Sequence, residues 1–142
     1  IYPNNDEGCE LIFKEYDRLG ANEHFVCFPS LRMEYFLTLM KNSDFIIGNS
    51  SAGIREAPVY GVYSLNIEGR QDNRFDHQSI INVEGETAAL LEAIDSIKEL
   101  PPLSPCFHFG EGDSADRFAQ ALKETRLWEA NGQKQFIDIF ST

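Results

Sequence analysis

Basic residues are scarce: 12 Lys and Arg stand against 23 Asp and Glu, leaving a net charge of −11. A nucleic-acid binder needs a basic face, because phosphate neutralisation supplies most of its affinity. No nucleic-acid partner is therefore expected. A single nucleotide is a different matter, since one or two local cations and a few backbone N–H groups can hold a diphosphate. The remaining acidity reads as solubility. Cysteine is sparse too. Cys9, Cys27 and Cys106 are odd in number, widely spaced and without a Cys-x-x-Cys pair, and His24, His77 and His108 stand alone. That pattern argues against a zinc site, and against a disulfide framework, and fits reduced thiols in a cytoplasmic protein. Long apolar runs are missing as well. Stretches such as Phe45-Ile46-Ile47 fall far short of the roughly 20 residues of a membrane span, so no membrane partner is expected. No signal peptide is visible, and the opening residue is Ile1 rather than Met, which points to a start further upstream.

What is present suits one domain with a core of its own: 142 residues, without repeats or low-complexity tracts. Short β-like runs alternate with helical stretches, the rhythm of βαβ units around a parallel sheet. Ile1-Tyr2-Pro3 reads as the tail of a strand. Asp6 can cap a helix over 6–19, with Leu11, Ile12, Tyr16 and Leu19 on one face and Gly20 as its stop. Residues 25–28 read as a buried strand. A helix over 32–41 places Met33, Phe36, Leu37 and Met40 at i, i+3, i+4 and i+7. A strand over 44–48 leads to a helix ending near Tyr60, then Gly61 and a strand over 62–67. A further strand is expected over 79–83 and a helix over 87–100, with Leu90, Leu91, Ile94 and Ile97 inward. Pro101, Pro102 and Pro105 break the chain, Gly110 and Gly112 make a turn, and helices follow over 114–128 and, more weakly, 133–140. The fold class is α/β, a Rossmann-like three-layer sandwich with a parallel sheet. In such sheets ligands sit at the C-terminal ends of the strands, beside helix N-termini.

The most unusual residues lie at such an end. In Phe45-Ile46-Ile47-Gly48-Asn49-Ser50-Ser51-Ala52-Gly53-Ile54-Arg55-Glu56 a buried strand runs into two hydroxyls and a helix start. Unpaired N–H groups and the dipole there favour an anion, the dipole by about 1 kcal/mol. With Ser50 as N-cap, Ala52, Gly53 and Glu56 share a helix face. Two small residues leave room for a sugar, and the carboxylate can accept from vicinal hydroxyls. Capping alone would account for one Ser; it needs neither the second Ser, nor Gly53, nor Glu56. Spacing by itself supports a nucleotide or anion site and no more. Beyond the next strand, Gly69-Arg70-Gln71-Asp72-Asn73-Arg74 carries two arginines four apart. These either converge on the same diphosphate or belong to a solvated surface loop.

Residues 49–56, Gly61, Asn66, and Arg70-Gln71 through Arg74 resemble the signature of the hydrolysing UDP-N-acetylglucosamine 2-epimerases. Tyr2-Pro3-Asn4-Asn5-Asp6-Glu7-Gly8 is similar to that family's Pro-Asn-x-Asp-x-Gly turn. Phe109-Gly110-Glu111-Gly112-Asp113 is similar to its Tyr-Gly-Asp-Gly motif. The likeness runs over nearly all of the chain. The non-hydrolysing relatives carry Ser-Gly-Gly-x-Gln-Glu-Glu in place of Asn-Ser-Ser-x-Gly-x-Arg-Glu.

The resemblance implies one half of a glycosyltransferase-B fold. This would be the UDP-binding C-terminal half, spanning 1–142, with its first strand truncated and the N-terminal catalytic half absent. It implies elimination of UDP from UDP-N-acetylglucosamine and hydration to N-acetylmannosamine, on the way to sialic-acid-type sugars. Ser50 and Ser51 would hold the diphosphate, with Gly53 beside them, and Glu56 the ribose hydroxyls. Arg70 would sit at the phosphate end with support from Arg74, and Asn4 would face the ligand. The Leu31 backbone and the Phe36 ring fall where the family contacts uracil, although the helical pattern equally makes Phe36 a core residue. The resemblance places no catalytic residue, cofactor or metal here. Expected partners are UDP or a UDP-N-acetylhexosamine, the missing half, and a second copy covering the face where that half would pack. The chain alone is expected to bind UDP weakly and to be inactive. Three positions depart from the pattern: Tyr63 replaces Pro, and Glu68 and Asn73 each replace Gly. A carboxylate at 68 repels a diphosphate unless it points away. Two other readings remain open at this point, the donor-binding half of a glycosyltransferase and a stand-alone nucleotide-binding module.

Overall fold

The computed structural model describes residues 1–129 and Gly132; the helix expected over 133–140 lies outside them. Two compact units are present, Ile1–Cys106 and Phe107–Thr142.

The first unit is built on three parallel strands in the order β1-β2-β3: β1 (Phe45–Gly48), β2 (Tyr63–Ile67) and β3 (Ile80–Val83). Phe45 pairs with Tyr63 and Gly48 with Asn66, and Ser64 pairs with Ile80. The central strand β2 alternates its faces, as the two-residue period requires. Tyr63 and Leu65 point to one side, into a cluster with Ile97, Ile94 and Ala93 of helix α4 (Thr87–Ile97). On the other side Met40, Ala52, Ala57 and Val62 pack together with Phe36, Ile46 and Tyr60. This second layer comes from α2 (Met33–Lys41), the single turn α3 (Ala52–Arg55) and a 3-10 turn, Ala57–Tyr60. Helices on both faces of a parallel sheet give the α/β, Rossmann-like architecture read from the sequence.

Several local expectations change. The helix expected up to Tyr60 is split, because Pro58 has no N–H to donate to Ile54, and the chain tightens into the 3-10 turn. Gly61 then closes it at φ 66. The helix preceding the sheet, α1 (Cys9–Leu19), starts after Gly8 and not at Asp6, with no side-chain cap. Leu11 points outward, Ile12 is exposed on the side of Tyr2 and Tyr16, and the inward face is carried by Phe13 and Tyr16, whose rings meet Tyr2 at 5.1 and 5.7 Å. Residues 25–28 and 1–3 form no strand. Tyr2 N–H donates 2.9 Å to Phe28 O, but Phe25 and Val26 are 50% and 70% exposed. Two short extended segments without a third neighbour or a covering layer make no stable ladder. In α4, Leu91 is 58% exposed, leaving Leu90, Ile94 and Ile97 to face the sheet.

Tyr63, standing where Pro was expected, is buried, and its hydroxyl donates 2.9 Å to the Pro101 carbonyl. A buried phenol needs such a partner.

In the second unit, the helix expected over 114–128 divides into α5 (Ser114–Lys123) and α6 (Thr125–Trp128). Glu124 between them is extended, and the Trp128 indole donates 2.9 Å to the Leu122 carbonyl that the break leaves open. No helix among the described residues is long and apolar enough to cross a membrane.

Candidate functional site

Beyond Gly48 the chain leaves the sheet at Asn49. Ser50 Oγ accepts the Ala52 N–H at 3.3 Å, and Ser50 O accepts the Gly53 N–H at 3.1 Å, so the first serine organises the entry to α3. Ser51 occupies the N-cap position, half-buried, without a side-chain cap bond. Capping therefore uses the Ser50 hydroxyl and not that of Ser51. Because α3 is one turn long, the aligned-dipole term expected from a longer helix is small.

Asn49 and Ser50 form one wall of a cavity of about 710 Å³, whose other walls are Tyr2-Pro3-Asn4, Tyr16 and Phe36. That volume is in the usual range of ligand pockets, roughly 300–1,000 Å³. Asn4, Phe36 and Ser50 are thus the expected site residues that line it. Leu31 lies in an adjoining apolar groove of about 250 Å³, shared with Phe28, Phe36 and Ile46. Phe36 borders both spaces and also packs on the core.

Gly53 sits elsewhere. It is buried against β2, and a Cβ there would run into Ser64 Oγ. Its smallness serves the close approach of α3 to the sheet, and the small residue on the cavity wall is Ala52. Glu56, at the C-cap of α3, is half-buried, and its Oε2 is buried with no hydrogen-bond partner. An unpaired buried acceptor of this kind costs about 1–3 kcal/mol, and Glu56 is not among the residues that line the cavity.

The loop after β2 reaches the site through two contacts. Arg70 Nη1 lies 3.6 Å from Asp6 Oδ2, and Gln71 Nε2 donates 2.9 Å to the Asn49 carbonyl. Three segments are tied together in this way: the turn around Asn4 and Asp6, the Asn49–Ser50 turn, and the loop carrying Arg70. Arg74 is exposed, and its backbone N–H donates 3.4 Å to Gln71 O, closing that loop. Glu68 is exposed and lies over Gly85, where a Cβ would come within 2.8 Å of its Oε1. Gly85 follows β3, across β2 from the serine turn, so the carboxylate points away from the cavity. Glu68 and Asn73 both have φ 60, and they are the non-glycine residues with positive φ among those described. Both departures from Gly therefore keep the backbone shape that Gly would adopt.

The sequence marks Asp6 as a helix cap and Gln71 as part of the signature through Arg74, but neither as a contact that ties these segments together. Gln71 is 5% exposed amid charged neighbours, and only the alternation of a polar amide with two arginines hints that it turns inward. Among the described residues no group of three His, Cys, Asp or Glu side chains is arranged to hold a metal ion.

A family model described as UDP-N-acetylglucosamine 2-epimerase matches residues 1–123. Over 142 residues, covering 98% of the chain, the sequence is 44% identical to a UDP-N-acetylglucosamine 2-epimerase of Neisseria meningitidis. It is 28% identical over 89% of its length to a hydrolysing UDP-N,N'-diacetylbacillosamine 2-epimerase of Legionella pneumophila. A polysialic acid biosynthesis protein P7 of Escherichia coli is 34% identical over 67% of the chain. The chain spans 37%, 34% and 24% of the lengths of these relatives.

Proposed function

The chain belongs to the UDP-N-acetylglucosamine 2-epimerase family, and we propose that it forms the UDP-binding half of a hydrolysing enzyme of that kind. The observation that carries this reading is the Asn49–Ser50 turn opening on a cavity of about 710 Å³, with the Arg70 loop tied to it through Gln71. Ser50, Ser51 and Arg70, supported by Arg74, hold the diphosphate. Glu56 accepts from the ribose hydroxyls. Leu31 and Phe36 border the uracil, and Asn4 faces the ligand from the opposite wall. Gly53 lets α3 approach the sheet and so sets the depth of the turn.

Within a complete enzyme these groups stabilise UDP as it departs, where negative charge develops on the phosphate oxygens. The proton transfers at the sugar belong to residues outside this chain, which alone binds the nucleotide and leaves UDP-N-acetylglucosamine intact. The natural context is a two-half protein in the cytoplasm feeding acylated mannosamine sugars to sialic-acid-type synthesis.

Incubation with UDP-N-acetylglucosamine tests this directly. Binding without release of UDP is the expected result for this chain. Appended to its second half, the protein yields UDP and free N-acetylmannosamine; transfer of the sugar to an acceptor would instead assign it to the glycosyltransferases. UDP release by the 142-residue chain on its own would overturn the division of labour.

A further inference from the structure

Gln71 is the residue on which two otherwise unexplained features meet. Its side chain is 5% exposed and only half satisfied: Nε2 donates 2.9 Å to Asn49 O, while Oε1 is buried without a partner. An apolar residue would fill that space without leaving an acceptor unpaired. The backbone around it is also held in a demanding shape, with φ 60 at Glu68 and at Asn73 on either side of the Gly69–Gln71 turn. That shape sends Arg70 outward to Asp6 and Gln71 inward to the serine turn.

The bond to Asn49 O fixes more than a distance. The Asn49 carbonyl and the Ser50 N–H belong to one planar trans peptide, so they point in opposite directions. With the carbonyl held against Gln71, the Ser50 N–H is turned away from that side chain, in a turn whose residues Asn49 and Ser50 wall the cavity. A rotated peptide would present an oxygen to the ligand in place of a donor. It would repel a phosphate at the point where the hydroxyls attract it. The hydrogen bond also polarises the peptide and strengthens its N–H as a donor.

Resting on the nucleotide reading above, we infer that Gln71 is a positioning residue that sets the Asn49–Ser50 peptide with its N–H towards the diphosphate, and so favours phosphorylated over plain nucleosides. It acts through the turn and need not touch the ligand.

Gln71→Met keeps length and burial while removing the donor. Calorimetric titration of parent and variant with UDP and with uridine reads the effect. The expected result is a fall in UDP affinity of about tenfold, the loss of one hydrogen-bonding contact, with uridine affinity unchanged. Equal losses for both ligands, or no loss for UDP, would overturn the role, since a merely structural Gln71 would not distinguish them. If the parent chain binds no UDP, the nucleotide reading itself fails. In that case amide exchange in the ligand-free protein decides: Ala52 and Gly53, whose N–H groups are held by Ser50, exchange about tenfold faster in the variant with Leu65 unchanged, or the positioning role is wrong.

Discussion

Arg70 Nη1 stands 3.6 Å from Asp6 Oδ2, with both side chains more than half exposed, and this contact joins the loop after β2 to the turn before α1. A pair so exposed contributes about 0–1 kcal/mol to stability. Its interest lies in competition, because the same guanidinium is the one proposed to hold the diphosphate. Asp6→Asn is expected to leave the urea midpoint nearly unchanged and to raise UDP affinity about two- to threefold, as a nearby negative charge is removed. Arg70→Ala lowers it by about tenfold or more, the usual loss for a hydrogen bond to a charged group. Calorimetry at low salt measures both, and weaker binding by Asp6→Asn would count against the competition.

Gly53 has no room for a side chain. A Cβ placed there collides with Ser64 Oγ and lies 3.3 Å from Ser64 Cβ. Gly53→Ala should destabilise the chain by about 1–3 kcal/mol, the range for overpacking. Adding Ser64→Ala should restore part of that loss, since the hydroxyl is the nearest obstacle. Denaturant unfolding reads the series; an alanine at 53 as stable as the parent would mean that α3 does not pack on β2 this closely.

Glu68 and Asn73 make a second stability test. Glu68 sits at φ 60, ψ 178, a region that side chains avoid at a cost of about 1–3 kcal/mol. Glycine gives back about 0.5–1 kcal/mol through the freedom it gains in the unfolded chain. Glu68→Gly should therefore stabilise by about 1 kcal/mol net. Asn tolerates positive φ well, so Asn73→Gly should change stability by less than about 0.5 kcal/mol. Thermal melts that rank the two variants the other way would contradict the backbone assignment.

The parallel sheet was legible because its strands are apolar runs bounded by clear breakers, as in Phe45-Ile46-Ile47 before Gly48 and Asn49. The serine turn could be read for the same reason. What the sequence concealed was decided by tertiary neighbours. Residues 25–28 are as apolar as β1, yet they form no strand, because pairing depends on an adjacent segment that local pattern does not report. Gly53 looked like space for a ligand and proved to be space for Ser64. Leu91 satisfied the helical period but fell on its edge. Gln71 was hidden among charged residues, and nothing in its spacing announced that its amide would close on Asn49 O. The split at Pro58 was readable from Pro chemistry, although one helix was expected up to Tyr60.

The most direct test of the account is a series of melting curves with UDP raised from about 0.1 to 10 mM, because a ligand that binds only the folded state stabilises it by mass action. The melting temperature should climb steadily with UDP for the parent chain and stay flat for a variant carrying both Ser51→Ala and Arg70→Ala. A cooperative melt that UDP leaves unmoved in the parent would contradict a nucleotide site at the end of β1.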